Sequence, residues 1–309
     1  MGEPWVPPCF MTWQFVLTGL LIGTLVGMTG MGGGSLMTPI LVIVFGFKPT
    51  LAVGTDILHG AIFKTVGAIR HRSLGTVHAQ LSGWMFLGSA PLSLLGVVIG
   101  TRLTDKYGDS ATSVMGYILG GALLFGATGL VLKSFVRKKV VGPDDRFDMV
   151  WRDRVAAIVI GMFGGFIVGL TSVGSGTFFA LTMLFVFPLG AHKIVGTDIL
   201  HAAALLYVAG FGHFVAGNVD MHAVGWLLIG SVPGVLIGSH YSVRIPEAWL
   251  RLALADVLAI SGLKLVQVPN LYLAIAIGAS VLVGAAVVIR TRRRLRARGE
   301  KLLVTAGET

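Results

Sequence analysis

The heptapeptide Val53-Gly-Thr-Asp-Ile-Leu-His59 recurs letter for letter as Val195-Gly-Thr-Asp-Ile-Leu-His201, 142 positions later. Around it, residues 27–103 align without a gap with residues 169–245, and about a third of the paired positions are identical. Two halves this similar must place equivalent segments in related surroundings. In a very apolar chain, duplication points to transporter architecture, with two repeats moving around a central site.

The chain is that apolar. Hydrophobic residues make up 54% of it and charged residues only 12%, with a mean hydropathy of +0.84. A soluble domain carries about 25% charged residues, so this chain lacks the polar surface to stay in water. It reads as an integral membrane protein, long enough for about ten segments of the usual length. The net charge of +10 does not indicate nucleic acid, because the basic residues gather in 133–154 and 290–301, beside apolar segments. They read as cytoplasmic, topology-setting charge in reach of anionic lipid head groups. Cys9 is the only cysteine, which excludes an intrachain disulfide and Cys-pair redox chemistry. The N-terminus has no basic region and does not read as a cleaved signal peptide.

Apolar segments fall at 12–28, 35–47, 51–69, 80–100, 111–132, 155–170, 177–189, 193–211, 222–241, 248–266 and 270–289. The division expected is a first repeat (1–133), a basic cytoplasmic loop (134–154), a second repeat (155–266), an extra helix (267–289) and a basic tail (290–309). Segments 35–47 and 177–189 would rise only about 20 Å as helices, short of a hydrocarbon core of roughly 30 Å. Each is expected to be a half-helix or part of a re-entrant pair.

Charge sets the orientation. The loop at Arg70–Arg72 is basic, whereas its equivalent, Gly212–Met221, has neither Lys nor Arg. With the central loop and tail inside, counting crossings puts these equivalent loops on opposite faces. The fold class expected is therefore an all-α membrane protein of two inverted repeats, each with about five apolar segments and a glycine-rich broken helix. Its N-terminus would lie outside and its C-terminus in the cytoplasm.

Two stretches can carry chemistry. Gly27-Met-Thr-Gly-Met-Gly-Gly-Gly-Ser35 is matched by Gly169-Leu-Thr-Ser-Val-Gly-Ser-Gly-Thr177. Glycine lets the backbone unwind, and unwound backbone at membrane depth must be buried in protein or line a wet cavity. Where the chain re-enters a helix, free N–H groups and the positive dipole end suit an anion. Thr29, Gly32, Gly33, Gly34 and Ser35, with Thr171, Gly174, Ser175, Gly176 and Thr177, are thus candidate substrate-binding residues. The competing reading is that these glycines only let helices pack closely.

The second stretch is the duplicated heptapeptide. On a helix, Asp56, His59, Lys64 and His71 fit within about 140° of the circumference. Ionisable groups in membrane segments are costly and usually functional, so Asp56, His59, Asp198 and His201 are candidate coupling or gating residues. The alternative for the aspartates is helix capping. Lys64 breaks the symmetry, since its counterpart is Leu206. It would either hold an anionic substrate or snorkel to the basic edge.

No enzyme motif is present: there is no H-E-x-x-H, no G-x-S-x-G, and no Gly-Lys-Ser/Thr after the glycine run. No catalysis, cofactor or resident metal is expected, and transport would be passive or driven by an ion gradient.

The paired glycine-rich segments resemble the sulfite exporter TauE/SafE (TSUP) family, as does Val53-Gly-Thr-Asp56 followed by Lys64, Ala68, His71, Gly75 and Val77. The second half adds Gly-Thr-Asp-Ile-Leu-His201, then Gly212-His213 and Gly217-Asn218-Val219-Asp220. The resemblance covers nearly the whole chain apart from the basic tail. It implies a multi-pass carrier of the prokaryotic inner membrane that moves small sulfur-containing anions, such as sulfite or organosulfonates, often outward. The partners expected are that anion, the lipid bilayer, a coupling proton and a second copy of the chain, with no nucleic acid. Open alternatives are an anion channel, a divalent metal-cation transporter using the paired Asp and His residues, and a membrane enzyme or cofactor-insertion factor using His59 and His201.

Overall fold

The computed structural model describes residues 12–29, 34–135, 147–176, 178–241 and 247–269. Gly32, Gly33, Thr177, much of the basic loop, and nearly all of the expected C-terminal helix and tail lie outside the described residues. The chain divides into a unit Met1–Val266 and a unit Gln267–Thr309, the second described only at residues 267–269.

The described residues of the first unit are helical, without strands. The order is α1 (Thr12–Thr29), α2 (Gly34–Ile43), α3 (Pro49–Ser73), α4 (Ala79–Phe135), α5 (Trp151–Thr171), α6 (Phe178–Val186), α7 (Ala191–Val215), α8 (Met221–Tyr241) and α9 (Glu247–Leu265). Among the described residues, four helical stretches are long and apolar enough to cross a membrane: Ala79–Gly108, Trp151–Thr171, His192–Val215 and Met221–Gly238. At 25 residues α3 has the length, but Asp56, Lys64, Arg70 and Arg72 reduce its apolarity. The expected segments 80–100 and 111–132 are the two arms of α4, separate helices that meet at a non-helical Gly108 (φ 53°, ψ −123°). α2 and α6, at 10 and 9 residues, rise about 15 Å or less, half of a bilayer core.

Equivalent elements exchange partners. α1 of the first half packs on α8 of the second, and its counterpart α5 packs on the N-terminal arm of α4. The contacts are backbone against backbone. Gly19 and Gly23 lie on the carbonyls of Leu227 and Ser231; their counterparts Gly161 and Gly165 lie on those of Met85 and Ser89. A Cβ at any of these four would overlap a main-chain oxygen. Helices brought this close gain dispersion contacts along their whole length, which drives association where lipid removes the hydrophobic force.

Two further equivalent pairs run antiparallel. Thr65 Oγ1 donates to the hydroxyl of its own counterpart, Tyr207, at 3.0 Å. To one side Gly60 lies against Leu206, and to the other Gly67 lies against Ile199, so α3 ascends as α7 descends. The C-terminal arm of α4 meets α9 the same way, with Gly120 against the carbonyl of Gly262 and Gly262 against that of Gly120, so that a Cβ at either would lie 2.9 Å from the other's oxygen. Reciprocal contacts of this kind are the mark of a two-fold relation. Two apolar cores follow from it. One gathers Phe15, Met37, Phe45, Leu119, Leu227 and Leu258; the other gathers Leu81, Met85, Phe179, Met183 and Leu205.

Starts of the exchanged helices are held from across the molecule. Thr55 Oγ1 accepts from the Asp220 N–H (3.0 Å) just before α8, and Thr197 Oγ1 accepts from the His78 N–H (2.9 Å) just before α4. Each bond satisfies a helix-end donor that has no partner within its own helix. Thr55→Val and Thr197→Val should lower stability alike, by about 1 kcal/mol each. Thermal unfolding in detergent reads this, and a loss in only one variant would contradict the equivalence.

Candidate functional site

The duplicated heptapeptide is a docking device between the halves. Gly54 and Gly196 admit the carbonyls of Asn218 and Thr76 at distances no Cβ allows. Val53 and Ile57 fill the core, and the threonines hold helix starts as above. His59 Nε2 meets Ser231 Oγ at 2.9 Å, and His201 Nε2 meets Ser89 Oγ at 2.9 Å, both fully inside the protein. These are the same bond twice, at positions 142 apart. Each bond joins a helix of one half to a helix of the other.

The aspartates do not cap. α3 begins at Pro49 after Lys48 and α7 at Ala191 after Gly190, so Asp56 and Asp198 lie two turns inside. Pro49, not Asp56, starts α3, since its ring presets the helical φ and it has no N–H to satisfy. Both carboxylates are buried, with 1% and 4% exposure.

Around Asp56 the two-fold relation breaks down. Thr38 Oγ1 from α2 and Ser172 Oγ from the segment after α5 both donate to Asp56 Oδ2, the second at 2.9 Å, while Oδ1 has no hydrogen-bond partner. Ala180 and Gly30 stand at the counterpart positions of Thr38 and Ser172 and offer no hydroxyl.

Two turns further along α3, Lys64 Nζ donates to Ser175 O (2.5 Å) and Ser175 Oγ (2.8 Å). Among the described residues Lys64 is the one buried Lys or Arg side chain. The snorkelling alternative therefore fails: the ammonium points inward because α3 turns this face onto the broken backbone after α5. Its counterpart Leu206 packs on Gly60.

That break, Ser172–Gly176, is buried along its whole length. Ser172 is left-handed (φ 62°), as is Gly174 (φ 116°). Of the expected binding residues here, Ser175 reaches Lys64. Thr171 is turned to local use, donating to Ile167 O at 2.7 Å and accepting from Val173 N–H at 3.2 Å. Gly174 and Gly176 are joined by a main-chain bond of 2.7 Å. Thr29 ends α1, and Gly34 and Ser35 open α2. His213, half a turn from its helix end, is buried with Nε2 2.9 Å from Gly169 O. Among the described residues, no three His, Cys, Asp or Glu side chains gather to hold a metal ion.

Thr38, Ser172, Ser89 and Ser231 are absent from the sequence-based list. For Thr38 and Ser172 a signal existed: each, like Lys64, is polar where the other half is apolar or glycine.

The model of the family described as "Sulfite exporter TauE/SafE" matches residues 15–265. The chain is 38% identical over 256 residues to the probable membrane transporter protein YjnA of Bacillus subtilis, covering 83% of this chain and 100% of that one. A second B. subtilis relative, the probable membrane transporter protein YdhB, is 23% identical over 81% of this chain and 98% of its own length. An Arabidopsis thaliana protein, sulfite exporter TauE/SafE family protein 1, is 30% identical over 95 residues, which cover 31% of this chain and 21% of that one. No solved structure matches the chain. With the matched region running from α1 to the end of α9, this multi-pass membrane protein belongs to the sulfite exporter TauE/SafE family of membrane transporters.

Proposed function

We propose that the protein is a secondary transporter of small sulfur-containing anions, sulfite or a short organosulfonate, driven outward by an ion gradient. The observation that carries this reading is the buried ammonium of Lys64 seated on the broken backbone at Ser175. An ammonium held on a carbonyl oxygen and a hydroxyl inside a membrane protein is a ready partner for an anion that displaces them. Broken helices at the midplane between repeats are where carriers of this kind bind. The antiparallel relation of α3 to α7 supports inverted repeats, the arrangement in which one half rocks against the other. Asp56 and Asp198 are the coupling carboxylates in this reading, and the protein lies in the prokaryotic inner membrane with its C-terminus in the cytoplasm. A divalent-cation carrier is less well supported, since the paired Asp and His residues are engaged in separate contacts.

The test is flux in proteoliposomes, with sulfite and a short organosulfonate, with and without an imposed gradient, against a divalent-cation control. Saturable anion flux that follows the gradient is the expected result. Anion flux that ignores every gradient would indicate a channel, and cation flux without anion flux would overturn the substrate class.

A further inference from the structure

We infer that the pocket at Asp56 is a binding site for one monovalent alkali cation, Na+ by its donor set, bound together with the anion at Lys64. The inference deepens the transport reading above, on which the word "together" rests.

Three side chains from three separate elements converge there: Thr38 from α2, Asp56 from α3 and Ser172 from the end of α5. All three are buried. Every donor is a hard oxygen, which suits a hard cation and not a soft or nitrogen-seeking metal. Both hydroxyls reach the same carboxylate oxygen, and the other, Asp56 Oδ1, is buried without a partner. Hydroxyl hydrogens rotate freely, so each oxygen can turn a lone pair to an arriving ion.

Charge sets the valence. Asp56 is the one carboxylate among the three converging side chains, so one positive charge neutralises it and a divalent ion would overshoot. Unbalanced charge in a medium of low dielectric is expensive, which favours a single monovalent cation.

The break after α5 also has two electrically different ends. Ser172 caps the C-terminus of α5, the negative end of that helix dipole, and meets Asp56. Three residues later Ser175, just before α6, meets Lys64. One end suits a cation and the other an anion, the division of labour that discontinuous helices perform in carriers.

The choice of residue supports a need for the oxygen. Ser172 occupies a left-handed C-cap position that normally takes glycine, and its repeat counterpart is Gly30. Serine there keeps a hydroxyl at a conformational disadvantage. Because Thr38 and Ser172 have Ala180 and Gly30 as counterparts, the inference is for one such site per chain.

A proton would need only the carboxylate, whereas Na+ needs the hydroxyls as well, and this separates the two. The experiment is equilibrium binding of radiolabelled sodium to the full-length protein in detergent, with choline as the replacing cation and no anion substrate present. Saturable binding of one ion per chain is expected. Asp56→Asn should abolish it. Ser172→Gly should weaken it about tenfold or more while leaving the melting temperature equal or higher, because glycine relieves the left-handed backbone. Thr38→Ser should retain binding and Thr38→Val lose it. Absence of saturable sodium binding, or binding untouched in both Ser172→Gly and Thr38→Val, overturns the proposal. A companion flux assay keeps the two readings apart. Undiminished anion flux with choline replacing sodium on both sides sinks the cation site and leaves the transport reading standing. Sodium binding without anion flux does the reverse.

Discussion

Replacing Gly230 or its counterpart Gly88 by alanine should prevent the protein from accumulating in folded form. A Cβ at Gly230 would overlap the carbonyl oxygen of Val16 and lie 2.7 Å from the Leu20 nitrogen; at Gly88 it would overlap the carbonyl oxygen of Ile158 and lie 3.1 Å from the Met162 nitrogen. The obstacles are main chain, so no rotamer change relieves them. The helices must separate, and contacts along α1–α8 or α4–α5 are lost with them. We expect a loss of at least about 3 kcal/mol, at the upper end for overpacking. Gly83 and Gly225 supply the control. They are also 142 positions apart, in the same helices, yet a Cβ at either meets nothing within 4 Å. Alanine there should be tolerated, with a small gain in helix propensity. Monodispersity of the four variants in detergent is the readout. Equal behaviour of Gly230→Ala and Gly225→Ala would show that helix contact is not what these glycines serve.

The second large effect is at Lys64. Lys64→Met keeps an unbranched apolar stem in the core and removes the ammonium from Ser175. A charge-assisted hydrogen bond to the anion amounts to roughly 1.5–3 kcal/mol, so anion flux should fall about tenfold to a hundredfold in protein that still folds. Folding is expected to survive because the second half carries Leu206 at the same helical position, buried against Gly60. Flux equal to wild type in well-folded Lys64→Met protein would remove Lys64 from the binding site.

Asp56 and Lys64 stand out in the sequence for a simple reason. Ionisable groups in apolar segments are costly enough that each invites a functional explanation. Hydroxyl residues send no such signal, because a helical threonine can satisfy itself on the carbonyl one turn back. Thr24, Thr104, Thr128 and Thr171 do so here. Thr38 and Ser172 differ from their counterparts Ala180 and Gly30, but nothing in the sequence says what either hydroxyl reaches until α2 and the end of α5 are packed beside Asp56.

His59 and His201 illustrate the opposite case. As ionisable groups in apolar segments they are candidates for coupling, and each meets a serine in the other half, Ser231 and Ser89. The duplicated contacts join the halves, whereas the asymmetric ones gather at Asp56 and Lys64. The capping expectation for Asp56 failed because local pattern cannot tell a helix start from a polar residue two turns inside; Pro49 decided it.

By itself the sequence determined the membrane environment, the helical class, the duplication with its 142-residue offset, and the odd position of Lys64. These follow from composition, periodicity and identity, which are properties of the chain alone. Only the tertiary structure decided that α1 pairs with α8 and α5 with α4, and that the break after α5 lies against α3. It also decided which glycines are contacts and which are merely small. The physical reason is that close packing and hydrogen bonding are set by distances between segments remote in sequence, and a Cβ is forbidden only where another backbone has already come within its radius.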